Sequence, residues 1–100
     1  MKENMVILAV GDIVGSPGRD ILKTRLQGII DLHHVDLVIV NGENAAGGRS
    51  LTPDVYREII SAGAHVVTTG NHVWDNTEVL KIIDREPALL RPANYPPGVP

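Results

Sequence analysis

Apolar residues cluster into three short runs, each followed by a glycine-containing turn and an amphipathic stretch. The first run is Met5 to Val10. The second is Val35 to Val40, broken only by Asp36, and the third is the more mixed Ala64 to Thr69. Short continuous runs rich in branched residues predict strands, and the first two read as strands buried on both faces. Between them, Ser16 followed by Pro17 predicts an N-cap and first helical position. Leu22, Leu26 and Ile29 then share one helical face, with Ile30 at its edge. Arg19, Asp20, Lys23, Thr24 and Gln27 are free to face water, and the helix is expected to end near Leu32.

Thr52-Pro53 repeats the start signal, with Val55, Ile59 and Ala62 as the inner stripe and Gly63 as a C-terminal cap. A third helix is expected from Asp75 or Asn76, with Glu78 completing an approximate capping box and Val79, Leu80 and Ile83 as its apolar side. Pro87, Pro92, Pro96, Pro97 and Pro100 make residues 85–100 an expected irregular, extended segment. Three successive β-α units imply an α/β fold with a parallel sheet. Helices on one face of so small a sheet leave the other open. The sequence therefore implies association through that face, either as a homo-oligomer or with a further part of the protein. On this reading residues 1–100 are one domain, cut short within a connection.

Composition narrows the chemistry. Cysteine is absent, which excludes disulfides, thiolate zinc sites and cysteine nucleophiles. The net charge is −3 with scattered basic residues, unlike the footprint of a nucleic-acid backbone binder. No apolar run is long enough for a signal-peptide core or a membrane span, so a cytoplasmic location is expected.

In parallel α/β sheets ligands bind beyond the carboxyl ends of the strands. Asp12, Glu43, Asn44, Asn71 and His72 all fall there. Asp12 reads either as an Asx turn or as a ligand. Glu43, between a strand and Ala45-Ala46-Gly47-Gly48, has no evident capping role and reads as a ligand ahead of a solvated loop carboxylate. Asn44 and Asn71 are turn formers or neutral oxygen ligands, and His72 is a loop histidine or a group facing substrate. Asp75 is either the cap of the third helix or an orienting partner for His72. Arg49 either clamps a phosphate or is solvated, and Trp74 reads as a packing anchor ahead of a substrate-stacking role. His33, His34 and His65 read as structural. Gly11, Gly15 and Gly18 match neither nucleotide-binding fingerprint, although the N-terminus of the first helix remains able to attract an anion. Taken together, the three strand ends make a coherent site for two hard cations, with Glu43 as the natural bridge. Oxygen and imidazole donors without sulfur suit Mn, Fe, Mg or Zn. The alternative is a non-catalytic module that binds a nucleotide or phosphate, or acts only by assembly.

Four motifs carry a resemblance: Gly11 to Asp20, Asn41 to Ala46, Gly70 to Asp75 and Arg91 to Pro96. In this order they resemble the bacterial 2',3'-cyclic-nucleotide 2'-phosphodiesterase family, a branch of the calcineurin-like metallophosphoesterases. The resemblance implies the N-terminal half of a four-layer α/β/β/α sandwich with a centre of two divalent or mixed-valence metal ions, and a small cyclic nucleotide or phosphodiester as substrate. By motif, Asp12 and Asn44 resemble ligands of the first metal, Glu43 the bridging ligand and Asn71 a ligand of the second. His72 resembles the proton donor to the leaving oxygen. Ser50 stands where the family is expected to have glycine. The family completes its site with histidines from its second half, including a His-x-His pair that this chain does not contain, so the chain alone is expected to bind metal weakly and turn over little.

Overall fold

In a computed structural model, residues 4–47, 50–75 and 77–99 are described. Four strands, β1 (Ile7–Val10), β2 (Leu37–Asn41), β3 (Val66–Thr68) and β4 (Leu89–Leu90), alternate with the helices α1 (Gly15–His33) and α2 (Pro53–Ala62) and a 3-10 helix (Thr77–Lys81). The strands form one sheet in the order β1-β2-β3-β4, and every pair is parallel. The α/β parallel sheet expected from the runs is therefore present, with one strand more. β4 lies inside the proline-rich segment expected to be irregular. Leu89 pairs in register with Val67 and Leu90 with Thr68, and the Thr69 hydroxyl donates to the Leu90 carbonyl at 2.6 Å.

One face of the sheet carries the core. Val38, Val40 and Val67 are fully buried there, and Leu89 joins them, against Leu22 and Leu26 of α1 and Val55, Tyr56 and Ile59 of α2. The opposite face holds Ile7 and Ala9, Leu37 and Ile39, Val66, and Leu90. In cross-strand rows Ile7 stands beside Leu37, and Ala9, Ile39 and Val66 stand in line. Ile7 is 53% exposed and Leu90 47%. The expected burial of β1 and β2 on both faces is thus corrected: no helix among the described residues lies on this side. Asp36, the one charge in the second run, sits just before β2, where its carboxylate accepts the Val6 N–H at 2.8 Å. His65 is structural as expected. Its Nδ1 accepts the Val38 N–H, while its own main-chain N–H donates to the Val38 carbonyl, both at 2.9 Å.

The helices depart from expectation at their edges. Ser16 is not the cap of α1; the cap position is Val14, without a side-chain bond, and Ser16 lies inside the helix. The Gly15 N–H is instead taken by the Asn44 carbonyl at 3.1 Å, so a tertiary contact starts this helix. That N–H is consequently not offered to an anion. α1 ends one residue beyond the expected point, with His34 as a left-handed cap. Ile29 is 39% exposed, and Ile30 takes its place against the core. The start of α2 is as predicted: the Thr52 side chain accepts the Val55 N–H with Pro53 at the first helical position. The third helix is a single 3-10 stretch followed by turns, and Leu80 points outward while Val79, Ile82 and Ile83 are buried. Asn76 lies outside the described residues.

Glu58 ties α2 to α1. It pairs with Lys23 and, at 3.1 Å, with Arg19 Nε. The hydrogen bond from Lys23, aided by the Lys23 and Arg19 charges, holds the Glu58 carboxyl below its ordinary value despite burial. A depressed carboxyl contributes stability that is present above its unfolded pKa and is lost as pH falls through the folded one. Glu58→Gln is therefore expected to cost about 1 kcal/mol at pH 7. The cost vanishes once the pH is below the depressed folded pKa. Urea unfolding across that range checks this, and a pH-independent cost would refute it.

Candidate functional site

Parallel pairing in register brings the carboxyl ends of β1, β2 and β3 to one edge. Asp12 follows β1 by two residues, Glu43 and Asn44 follow β2, and Asn71 and His72 follow β3. The turn after β2 is anchored from several sides. The Gly42 N–H donates to the Thr68 carbonyl at 2.9 Å, and the Ile13 N–H reaches the Asn41 carbonyl at 3.4 Å. Asn41, the last residue of β2, accepts the Glu43 N–H on its side-chain oxygen at 3.1 Å, and its amide nitrogen lies 3.4 Å from Glu43 Oε1.

Asp12 and Asn44 are brought together directly. The Asn44 Nδ2 donates to both Asp12 carboxylate oxygens, at 2.9 and 3.1 Å. That bond orients the Asn44 amide so that its oxygen points the other way. Asn44 Oδ1 and Glu43 Oε2 are both buried, and neither has a hydrogen-bond partner among the described residues. Two adjacent side chains thus present inward oxygens with no donor, which is unfavourable for buried polar atoms unless something positive meets them. Gly70 completes this arrangement. The Glu43 carboxylate lies against its Cα so closely that an added β-carbon would be 2.6 Å from Oε1.

After β3 the chain turns through residues 70–75. The Val73 N–H donates to the Gly70 carbonyl and the Asp75 N–H to the His72 carbonyl, both at 3.1 Å. His72 Nδ1 lies 3.0 Å from Asp75 Oδ2, which places Asp75 as a partner of the imidazole. Both side chains are about one-third exposed: 36% for His72 and 34% for Asp75. Asn71 is exposed at the start of this turn. Trp74 packs against the core and meets the Tyr95 ring edge-on, with centroids 5.8 Å apart, in keeping with a packing anchor.

Among the described residues no group of three or more His, Cys, Asp and Glu stands close enough to hold a metal. The direct contacts join Asp12 to Asn44 and His72 to Asp75, while Glu43 reaches the third strand end only through Gly70. Hard oxygen donors with two buried, unmatched acceptors nevertheless fit a small hard cation. Arg49 and its suggested phosphate clamp lie outside the described residues. No described helix is long and apolar enough to cross a membrane.

Two contributors escaped the sequence reading. Arg19, expected to face water, is 20% exposed in its side chain and donates from Nη1 to the Ala45 carbonyl at 2.6 Å. Its place three residues before Leu22, next to the buried stripe, was the available signal. Ser50, singled out in the sequence only as standing where glycine is expected, is fully buried, has a left-handed backbone and donates to the Val73 carbonyl at 2.9 Å; the expected glycine pointed to that backbone, and nothing in the sequence pointed to the bond.

Helices packed on one face of a parallel sheet whose strands end together at one edge define an α/β domain of the open-sheet type. The chain belongs to the family described as YmdB-like protein, whose model matches residues 8–100. It is 47% identical over 96 residues to the 2',3'-cyclic-nucleotide 2'-phosphodiesterase of Bacillus subtilis (strain 168), covering 96% of this chain and 36% of that protein. A putative phosphatase/phosphodiesterase of Mycoplasma pneumoniae is 34% identical over 94 residues, covering 94% of this chain and 34% of that protein. Among solved structures, a hypothetical protein of Thermus thermophilus superposes with a TM-score of 0.88 at 44% identity, covering 94% of this chain and 36% of that one. A novel phosphatase of Mycoplasma pneumoniae gives 0.86 at 34% identity, covering 92% and 33%. The chain thus spans about a third of the length of the curated relatives it matches.

Proposed function

We propose that this chain supplies the N-terminal part of the site of a metal-dependent phosphodiesterase that opens 2',3'-cyclic nucleotides to 3'-nucleotides. The substrate class comes from the name of the Bacillus subtilis relative. The observation that carries the reading is the pair of buried, unmatched oxygens on Glu43 and Asn44, one residue apart and beside Asp12. On this reading Asp12, Glu43, Asn44 and Asn71 would hold two cations, Glu43 contributing to both. Iron, manganese, magnesium and zinc all suit the donors. When bound, the cations supply Lewis-acid stabilisation of phosphoryl oxygens and ease ionisation of water.

The chain's own residues do the rest. Water adds to phosphorus and releases a proton to solvent as the bond to the ribose 2'-oxygen breaks. His72 delivers a proton from Nε2 to that departing oxygen, while Nδ1 keeps its bond to Asp75. Asp75 thereby sets which nitrogen faces the substrate. Arg19 and Asn41 steady the turn that carries Glu43. The open sheet face is an association surface on the same reading. A second sheet laid there would give the four-layer sandwich, with residues 1–100 as part of one domain.

Metal analysis of protein expressed from the complete reading frame tests the proposal. Stoichiometric bound metal is expected. His72→Ala should keep that metal and lower kcat by about 10²–10⁴-fold. Absence of metal would instead favour a metal-free nucleotide- or phosphate-binding module, and undiminished turnover in the variant would remove His72 as the acid.

A further inference from the structure

Ser50 is the sole polar residue among the described residues that is fully withdrawn from solvent as part of the core, and its backbone is left-handed at φ 59°. Non-glycine residues avoid that region because Cβ crowds the following carbonyl oxygen. Such a residue persists only where its surroundings hold it. Two bonds do so here. The Ser50 carbonyl accepts the Ala46 N–H at 3.2 Å, and the Ser50 hydroxyl donates to the Val73 carbonyl at 2.9 Å. Ala46 belongs to the turn that carries Glu43 and Asn44. Val73 follows His72 directly and is itself fully buried.

One residue therefore grips both loops, the first through its main chain and the second through its side chain. Glycine would meet the backbone requirement without strain, but it offers no hydroxyl. The strained serine makes sense if the bond to Val73 has a use that glycine cannot serve.

We propose that Ser50 is a positioning residue, clasping the His72 loop to the Glu43-Asn44 turn so that the imidazole is held at a set place relative to the oxygen donors. This rests on the reading of His72 as the proton donor. Val73 is fixed by its buried side chain and by this carbonyl. With the hydroxyl gone, the carbonyl loses that partner and the turn from Gly70 to Asp75 loses its bond to Ser50. The hydroxyl bonds to Val73 and not to the Asp12, Glu43 or Asn44 side chains, so its loss acts through His72 and not through the donors.

Ser50→Gly is the discriminating variant, because it removes the hydroxyl and the backbone strain together. A merely structural role predicts offsetting effects on Tm and no change in kcat. The clasp predicts that hydrogen exchange at the Val73 and Asp75 amides quickens about tenfold. It also predicts that kcat falls about tenfold or more while KM and metal content hold. Ser50→Ala, which keeps Cβ and the strain, should do the same and decides the matter if the glycine variant does not fold. Unchanged exchange would overturn the clasp whatever the activity. Faster exchange with unchanged kcat would overturn its positioning role. Wild-type protein expressed from the complete reading frame and lacking phosphodiesterase activity would overturn the proposed function, while the exchange measurement still decides whether the clasp exists.

Discussion

In protein expressed from the complete reading frame, Gly70→Ala is expected to leave the fold intact and, on the proposed function, to lower phosphodiesterase turnover about 100-fold. The added β-carbon enters the space of the Glu43 carboxylate, contacting Cδ and both oxygens, with Oε1 at 2.6 Å. The nearest atoms it meets all belong to that one side chain, and the Gly70 backbone is not in the left-handed region, so alanine is conformationally allowed. The side chain of Glu43 is flexible and can swing aside at little cost to stability. What it cannot do is swing aside and still present Oε2 at the same buried point. The substitution therefore separates folding from site geometry. Metal content and turnover should fall together with Tm nearly unchanged. Full metal occupancy and normal kcat in this variant would show that the position of Glu43 seen here is not the functional one.

The largest effect on stability is expected at Ile59. It is 1% exposed on α2, inside the cluster that holds Val38, Val40 and Val67 of the sheet. Its Cδ1 lies 3.3 Å from where a β-carbon would stand on Gly42, the residue before Glu43. Ile59→Ala removes three carbons from a site with little room to collapse. The expected loss is about 3 kcal/mol, from transfer and cavity terms together. In urea the unfolding midpoint should drop while the slope stays the same. A midpoint within experimental error of the wild type would mean that α2 does not carry the core as described. Because Ile59 backs the end of β2, turnover in the folded fraction is also a measure of how firmly Glu43 depends on that packing.

Strands β1, β2 and β3 were legible because their apolar runs are short, branched and bounded by turns. Parallel pairing followed from the alternation with helices, and with it the gathering of Asp12, Glu43, Asn44, Asn71 and His72 at one edge. β4 was not legible: two leucines between prolines have no periodicity, and only the register with Val67 and Thr68 makes them a strand. The start of α1 was misplaced because a tertiary bond to the Asn44 carbonyl outranked the local Ser16-Pro17 signal. The exchange of Ile29 for Ile30 has a similar cause. Both lie near the edge of the apolar stripe, and the packing of α1 against α2 and the sheet selects between them. Ser50 and Arg19 act across turns that are distant in sequence, so their roles exist only after the chain has folded.

The strand order follows the order of synthesis. β1 pairs with β2, β2 with β3 and β3 with β4, so each strand finds its neighbour in the segment made just before it. Among the described residues each strand pairs with the one before it in sequence, so closing each connection costs little more than the last. A nascent chain on the ribosome can lay down these strands one at a time as they emerge. While it does so, the face that carries Ile7, Leu37, Ile39 and Val66, which no described helix covers, is the apolar surface open to other molecules. Chaperone binding, or aggregation in its absence, should therefore track that face rather than the helical one.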